Sequence, residues 1–469
     1  MDSDSIMKLE RLRPVGPLEM YSTARHHLRF YFNVAVTATY HLSEGPVPPI
    51  KDHIYRACEI LIAQHPNLAV NPVDEGSRDP YFARLPEIDL DKCVSFQQRS
   101  QKYVASGDLE QTSRDVELDN LLQAQHNTPF SLGLPFWRLC ILTDPTDDRH
   151  FTASFVFHHA IGDGSSGKAF HNTFARALRE VQSFPSGEAK NLIVPPTSPL
   201  LPNLEQLLPL PVSILYLAKE FLNSKIRLRN DPLLWTGSHI KTPLVNRVRH
   251  LPLSKSTTMK LRKSCQMNGT TVTAALQTMI ASVIFNQLPT TFKKLRCSGA
   301  ISLRRWLPDI ITEDSIGVWV QEYEEVYERD NFKGQEFPWD EAKRSRQTIE
   351  RVLEQKGRNQ SIGLLKYVAD YHRDLFLSKV GKPRHSSFEL SNVGAYAVDK
   401  DNHPHTPQVG RMVFSQSANV TGSAVAISAI TGGDGCLVLS FSWQKDALDA
   451  EFINTLTDEL KRRLDAIIA

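Results

Sequence analysis

The sequence has few of the features of proteins that bind nucleic acids, cross membranes or depend on disulfide bonds. Its six cysteines show no paired spacing, which favours reduced thiols in an intracellular protein. Lysine plus arginine, 54, nearly equals aspartate plus glutamate, 52, so the charge balance indicates no nucleic-acid partner. No apolar run reaches the roughly eighteen residues of a membrane span, and no apolar signal segment follows the polar N-terminus. We therefore expect a cytoplasmic globular protein without a transmembrane segment.

Length and proline distribution predict a chain in two halves. The 469 residues provide material for two or three average domains, and no repeat or low-complexity tract is evident. Seven prolines crowd residues 184–211. Proline at this density disfavours regular structure, so this stretch is predicted to be an exposed crossover. We expect a first subdomain over residues 1–183 and a second over residues 212–469, each mixing strands and helices.

An apolar segment at residues 207–222 overlaps the end of the crossover. Two prolines, Lys219 and Glu220 interrupt it, and basic residues follow it. We expect a connecting helix whose apolar side packs inward. Peripheral attachment to a membrane surface is the alternative.

The most informative stretch is HHAIGDG at residues 158–164, where a strand pattern gives way to a helix pattern. Apolar residues alternate over residues 151–157 with the period of a strand. Large apolar residues then recur every four positions over residues 170–178, as on one helix face. Because neighbouring residues in extended backbone point to opposite sides, only one of the two histidines can face a given cavity. Gly162 and Gly164 allow positive φ and close backbone approach, which suits a sharp turn.

A histidine held at a strand end suits general-base catalysis, but the same residues allow three other interpretations. Residues 162–167 match the G-x-G-x-x-G pattern of dinucleotide binding, yet the expected acid in a second strand is missing, since Glu180 falls in a predicted helix. The second interpretation is a metal site, although no familiar zinc spacing supports it. Its ligands would be His158, His159, Asp163 and His171. The third interpretation is a histidine pair with purely structural contacts in a turn.

The motif resembles HHxxxDG of the CoA-dependent acyltransferase superfamily, which includes chloramphenicol acetyltransferase, plant BAHD acyltransferases and the condensation domains of nonribosomal peptide synthesis. Other stretches resemble the superfamily in the same order: HPNL at residues 65–68 closing a helix, GTT at 269–271 opening one, and the strand AISLRR at 300–305. Three stretches most resemble fungal alcohol acetyltransferases: RPVGPLEMY at 13–21, LWTG at 234–237 and FELSNVG at 388–394. The resemblance implies an α/β fold of two chloramphenicol-acetyltransferase-like subdomains forming a pseudo-dimer, with an active-site tunnel between them.

The resemblance also implies roles for residues of the motif. His159 is expected to be the general base, while His158 points to the other side of the strand and fixes backbone and ring positions. Asp163 and Gly164 are expected to hold the loop, Asp163 by pairing with Arg304. Arg305 is the alternative partner, and an orienting acid of a catalytic triad is the alternative role for Asp163.

The second half offers three candidate donors to a tetrahedral oxyanion: Asn392, Ser391 and Ser417. Hydrogen bonds to their own loops would explain these residues equally well. The DFGWG sequence of BAHD enzymes is absent, which argues against a plant BAHD enzyme. In its place, SNVG at residues 391–394 resembles the SNVPG of wax ester synthases.

The function implied is an acyl-CoA-dependent O-acyltransferase, most simply one that moves an acetyl group from acetyl-CoA to a small alcohol or secondary metabolite. Acetyl-CoA would be a co-substrate, and no permanently bound cofactor or metal is expected. A monomer is expected. Two alternatives stay open: transfer from a carrier-protein thioester, as in condensation domains, and a member of the fold that binds or cyclises its ligand without acyl transfer.

Overall fold

The computed structural model describes residues 9–43, 49–103, 114–183, 188–227, 231–332, 337–397 and 406–467. The strands are β1 (Glu10–Pro14), β2 (Val34–His41), β3 (Val70–Val73), β4 (Tyr81–Arg84), β5 (Ile88–Asp89), β6 (Val94–Gln98), β7 (Trp137–Thr143), β8 (His150–Phe157), β9 (Leu192–Ile193), β10 (Asn246–Pro252), β11 (Lys294–Ser302), β12 (Val320–Glu328), β13 (Phe388–Ala395), β14 (Gln408–Gln416), β15 (Val425–Thr431) and β16 (Leu437–Gln444). The helices are α1 (Pro17–His27), α2 (Ile50–Gln64), α3 (Leu90–Cys93), α4 (Val116–His126), α5 (Gly164–Ser183), α6 (Leu204–Leu207), α7 (Ile214–Arg227), α8 (Lys255–Met267), α9 (Val272–Gln287), α10 (Trp339–Glu354) and α11 (Ala450–Ile467).

Two large sheets organise the described part of the chain. The first has the strand order β14-β2-β8-β7-β6, and the second has the order β10-β16-β15-β13-β11-β12. Small sheets of order β1-β4-β3 and β5-β9 accompany them. The molecule is therefore of the mixed α/β class that the sequence predicts.

Each large sheet has its own hydrophobic core, and the helix face predicted over residues 170–178 is confirmed. Helix α5 buries Phe170, Phe174 and Leu178 against the first sheet, where the Phe170 and Phe155 rings stack at 3.8 Å. In the second core, α9 is buried on almost all sides, and α11 buries one face of leucines. Removal of this apolar surface from water is the main driving force that fixes each sheet to its helices.

Strand β14 comes from the second half of the sequence but completes the first sheet. It pairs antiparallel with β2, and Phe414 lies opposite Val36. A single boundary in the sequence therefore does not enclose each sheet. The subdomain limits at residues 183 and 212 stay a prediction, to which this strand adds a physical link between the halves.

One strand prediction needs correction at its end. The strand predicted over residues 300–305 ends at Ser302, and the chain continues in a short 3₁₀ turn. This turn carries the arginine that the sequence assigned to the motif.

The crossover and the helix after it also differ from expectation. Residues 184–211 are not wholly irregular, because they contain β9 and α6, and Ile193 is buried. On α7, the side chains of Ile214 and Leu215 are 86% and 82% exposed, so the expected inward packing of the apolar side is wrong for them. Among the described residues, no helix combines the length and apolarity needed to cross a bilayer.

Candidate active site

The HHAIGDG motif lies in a strand-to-helix turn, as its flanking patterns predict. Strand β8 ends at Phe157 and α5 begins at Gly164. The His158 N–H donates to the Phe136 carbonyl at 2.9 Å, and the Ile161 N–H donates to the His158 carbonyl at 3.0 Å. The turn is therefore tied both to the neighbouring strand and to itself.

The motif glycines are needed for close packing rather than for an unusual backbone conformation. Neither has a positive φ, so the close backbone approach that glycine allows is the property used here. A Cβ atom at Gly164 would lie 2.7 Å from Val393 Cγ1 and 2.9 Å from Phe414 Cζ. Since Val393 lies on β13 and Phe414 on β14, Gly164 is a point where the motif meets the second half of the chain.

The two histidines differ in exposure. His158 is 1% exposed, whereas His159 is half-buried, and its ring lies 5.9 Å from that of Tyr31. Burial, followed by the charge of Arg25, lowers the pKa of His159. The imidazole is therefore neutral near pH 7 and able to accept a proton. Its Nδ1 is buried without a hydrogen-bond partner among the described residues.

His158 is held by contacts on both ring nitrogens. The Ala160 N–H donates to His158 Nδ1 at 2.9 Å, and His158 Nε2 lies 3.1 Å from Glu75 Oε1. Burial, followed by the charge of His26, lowers the pKa of His158 to about 4. A neutral His158 thus locks the backbone on the far side of His159 through Ala160.

Glu75 and His26 complete this cluster, and the sequence interpretation missed both. His26 Nδ1 lies 2.7 Å from Glu75 Oε2, and the His26 and His158 rings pack edge to face at 4.4 Å. Burial would raise the pKa of Glu75, but the two histidines hold it at about 2. Glu75 follows β3 in a surface turn, so only the second histidine pair at residues 26–27 offered a signal in the sequence.

The same three side chains have ligand atoms within 4.8 Å of one another, which is a spacing that a metal ion could use. The hydrogen bonds of the ring nitrogens that face away from Glu75, His158 Nδ1 and His26 Nε2, argue against a metal site. His158 Nδ1 accepts from Ala160, and His26 Nε2 accepts from the Phe130 N–H at 3.4 Å. Since the outer nitrogens act as acceptors, the ring protons lie on the nitrogens that face Glu75, and these nitrogens donate to the carboxylate instead of offering a metal a lone pair.

Asp163 forms a buried bidentate ion pair with Arg304. Arg304 donates from Nη1 to Oδ2 at 2.7 Å and from Nη2 to Oδ1 at 2.9 Å. The Ser166 hydroxyl and the Trp319 N–H also donate to this carboxylate. Burial would raise the pKa of Asp163, but the Arg304 charge and these donors hold it below its usual range. The structure thus brings together the residues that the sequence paired.

Neither His159 nor Arg305 is a partner of the Asp163 carboxylate. Among the described residues, the partners of the Asp163 carboxylate do not include His159. Arg305 lies over the Trp306 ring at 5.5 Å instead of at the carboxylate. This geometry favours the loop-holding role of Asp163 over the triad.

The three candidate oxyanion donors have different surroundings. The Asn392 amide donates to Thr273 Oγ1 at 3.0 Å and accepts from the Gly394 N–H at 2.9 Å. The Ser417 hydroxyl points at the Asn246 side chain, 3.2 Å away, and at the Ala418 carbonyl, 2.9 Å away. Ser391 is buried on β13 beside β15. The Ser417 proton is therefore already engaged in a structural network.

The other two interpretations of the motif find little support. Strand β8 is antiparallel to both of its neighbours, β2 and β7, whereas a dinucleotide-binding unit needs parallel strands. His171 bonds to the Tyr40 hydroxyl at 2.8 Å and to the Val36 carbonyl at 2.8 Å, away from the motif histidines. The dinucleotide interpretation is wrong, and the proposed four-residue metal set does not assemble.

Comparison with known proteins gives consistent matches over the whole length. Residues 14–460 match the alcohol acetyltransferase family. The probable alcohol acetyltransferase crmB of Aspergillus fumigatus is 34% identical, over 94% of this chain and 96% of that protein. The probable alcohol acetyltransferase FCK4 of Fusarium pseudograminearum is 25% identical, over 96% of this chain and 94% of that protein.

Solved structures of similar fold include the TRI3 trichothecene 15-O-acetyltransferase of Fusarium sporotrichioides, with a TM-score of 0.69, 14% identity and coverage of 97% and 94%. The first condensation domain of the CDA synthetase has a TM-score of 0.60 at 15% identity, with coverage of 97% and 96%. At such identities these structures show the fold alone. Because the family match and the Aspergillus relative each span nearly the whole chain, this chain belongs to the alcohol acetyltransferase family, whose members are acyltransferases that act on an alcohol.

Proposed function

We propose that this chain moves an acetyl group from acetyl-CoA to the hydroxyl of a small alcohol, with His159 as the general base. The observation that carries this proposal is the contrast within the histidine pair. His159 is half-buried and neutral at the end of a fixed turn, while His158 is buried and engaged on both ring nitrogens. A base positioned in this way is worth about 10²–10⁴ in rate.

The proposed reaction needs no covalent enzyme intermediate. His159 Nε2 takes the hydroxyl proton while the alcohol oxygen attacks the thioester carbonyl. The resulting tetrahedral oxyanion collapses, the C–S bond breaks, and the imidazolium returns the proton to the departing CoA thiolate. The six cysteines are buried, and burial raises the pKa of the thiols of Cys58 and Cys297, which disfavours them as nucleophiles.

The other motif residues act by position. The Asp163–Arg304 pair and the packing of Gly164 against Val393 hold the turn against the second half. Glu75 holds His158, and His158 holds Ala160 on the far side of His159. Each of these is a positioning role, in which geometry rather than proton transfer is at stake.

The substrates would reach His159 through a tunnel between two pseudo-symmetric halves. The contact of the motif turn with β13 and β14 supports this arrangement. A small alcohol or a secondary metabolite is the proposed acceptor, and a carrier-protein thioester is the alternative donor. We also propose a cytoplasmic monomer, with exposed Ile214 and Leu215 on α7 as the point of any peripheral membrane contact.

A panel of acyl-CoAs and alcohols tests the donor and the acceptor class. We expect acetyl-CoA to release free CoA thiol only when an alcohol is present. Mass spectrometry should then detect one molecule of ester for each thiol released. Longer acyl-CoAs and a carrier-bound acetyl thioester are the comparison donors. Turnover with the carrier-bound donor alone would contradict the assignment of acetyl-CoA. Binding without ester formation would favour a non-transferring role.

Direct transfer also predicts the form of the rate law. Because one base serves both substrates in a ternary complex, initial-rate plots at several fixed acetyl-CoA concentrations should intersect. Parallel lines would indicate a covalent acyl-enzyme and would contradict the mechanism.

Glu75→Gln is expected to lower kcat by up to about 10²-fold with little change in KM, because it mispositions the turn without touching substrate. A glutamine amide can accept from only one of the two histidines, so the tautomer of the other must change. Nitrogen NMR of labelled histidines should then show the altered tautomer, with His158→Gln used for assignment. Unchanged tautomers with a wild-type kcat would contradict the positioning role.

A further inference from the structure

Arg25, a buried cation near His159, has no hydrogen-bond or ion-pair partner among the described residues. Arg25 on α1 is 7% exposed, and its guanidinium lies 3.8 Å over the Tyr31 ring and 5.0 Å from the Tyr21 ring. Within the described ranges it makes no hydrogen bond or ion pair, and its Nε is buried without an acceptor. Two aromatic rings thus hold a charged group whose Nε–H has no acceptor, and whose Nη atoms, which are not fully buried, have none among the described residues.

A guanidinium has five N–H donors, and a buried one normally donates to protein acceptors. Stacking on tyrosine rings stabilises the cation but accepts none of these hydrogen bonds along the ring plane. Arg84, also 7% exposed, is paired by contrast: it donates to Glu10, to the Pro196 carbonyl and to the Ser198 carbonyl.

Arg25 and the proposed base contact the same aromatic ring. The Tyr31 ring that stacks on the Arg25 guanidinium is the ring 5.9 Å from that of His159. The charge of Arg25 also lowers the pKa of His159, second only to burial.

Glu389 is close enough to Arg25 for the two charges to interact, but it forms no ion pair with Arg25 among the described residues. Burial raises the pKa of Glu389, and the Gln416 amide and then the Arg25 charge act in the opposite direction. Gln416 Nε2 donates to Glu389 Oε1 at 2.9 Å, and the Tyr31 hydroxyl donates to Gln416 Oε1 at 3.4 Å. The carboxylate is therefore held by the amide, and the guanidinium is left for a ligand.

The oxyanion that the proposed reaction creates would accept hydrogen bonds from Arg25. When the alcohol oxygen attacks, the carbonyl electron pair moves onto oxygen, and a negative charge appears close to His159. Ser417 has its proton engaged, and Asn392 donates to Thr273. Neither is as free to donate as the guanidinium. Ser391, the third candidate, is a neutral hydroxyl, and a charged donor binds an oxyanion more strongly.

We propose that Arg25 is the catalytic residue that stabilises the tetrahedral oxyanion, through N–H donors that have no acceptor until that charge forms. This inference rests on the acyl transfer proposed above. As the intermediate collapses, the oxygen regains its double bond, the negative charge leaves with the CoA thiolate, and Arg25 is again without an acceptor. Donors that are better satisfied in the transition state than in the free enzyme accelerate the reaction.

Arg25→Met and Arg84→Met form a matched pair that tests this role. Both remove a buried guanidinium and keep a long apolar chain, but only Arg25 lies in the site. For Arg25→Met we expect kcat to fall by about 10²–10³-fold with KM for both substrates nearly constant. Its Tm should be unchanged or higher, since no hydrogen bond is lost. For Arg84→Met we expect a lower Tm and a wild-type kcat.

The pH profile supplies a readout that a structural role would not move. Removing the Arg25 charge should raise the pKa of His159, so the acidic limb of kcat/KM should shift to higher pH in Arg25→Met. Asp163, which raises this pKa, and His158, which lowers it, remain in the variant. A slower enzyme with a stronger base would separate oxyanion stabilisation from loss of the base.

Three outcomes would overturn the proposal. These are a kcat within a few-fold of wild type, a loss confined to acceptors that carry a carboxylate, and a Tm loss that matches Arg84→Met with no shift of the acidic limb. The second would assign Arg25 to acceptor binding. Wild-type enzyme assayed in parallel is the reference. If it releases no thiol from any acyl-CoA, both the proposed donor and the role of Arg25 are wrong. If wild type and Arg25→Met are equally active, only the inference about Arg25 is wrong.

Discussion

His159→Ala is expected to lower kcat by about 10²–10⁴-fold while the protein stays folded. The reason is the position of the ring, which is half-buried beside Tyr31 and makes no hydrogen bond to another described side chain. Removing it therefore deletes the base without breaking a structural contact. Thiol release under saturating substrates measures the loss, and thermal unfolding measures the fold.

His158→Ala is the matched control for this prediction. It removes the acceptor for the Ala160 N–H and the partner of Glu75, and it leaves a cavity among buried rings. We expect a larger loss of Tm and a smaller loss of kcat than in His159→Ala. The reverse order, or near wild-type turnover in His159→Ala, would show that the base has been assigned to the wrong histidine.

Asp163→Asn is expected to destabilise the fold by about 3–5 kcal/mol, because it leaves Arg304 buried without its carboxylate. The bidentate bonds, the Ser166 and Trp319 donors and the cation over the Trp319 ring would all be weakened. Urea unfolding measures the change. Activity should fall as well, since the turn that presents His159 would loosen.

The double variant Asp163→Asn with Arg304→Met separates a pair from two independent effects. Once the carboxylate is gone, removing the unpaired guanidinium should cost little or restore stability, so the two losses should be strongly non-additive. Additive losses would contradict a direct pair. An activity loss in Asp163→Asn without any loss of stability would restore the triad interpretation.

The turn of the site was predictable because its signals are local. Alternation over residues 151–157 and the four-residue spacing of α5 place the motif between strand and helix, and both are confirmed. For the glycines, the close backbone approach is confirmed, but the residues that approach them were not predicted. Their need for space comes from Val393 and Phe414, which are distant in sequence, and no local pattern reports contacts of that kind.

The supporting residues were not predictable from periodicity. Glu75 reaches His158 because the turn after β3 brings it there, and His26 reaches Glu75 from α1. Periodicity shows which side of an element is buried but not which element covers it. For the same reason nothing in β14 indicated that it would complete the first sheet, and nothing around Arg25 indicated a cation without an acceptor. The pairing of Arg304 with Asp163 was expected only through the resemblance to the superfamily.

The most direct test of the account is the mass of the intact protein after incubation with acetyl-CoA alone, followed by addition of an accepted alcohol. The account predicts an unmodified protein before the alcohol is added, and equal amounts of thiol and ester after it. A protein that gains an acetyl group and then passes it to the alcohol would contradict direct transfer at His159.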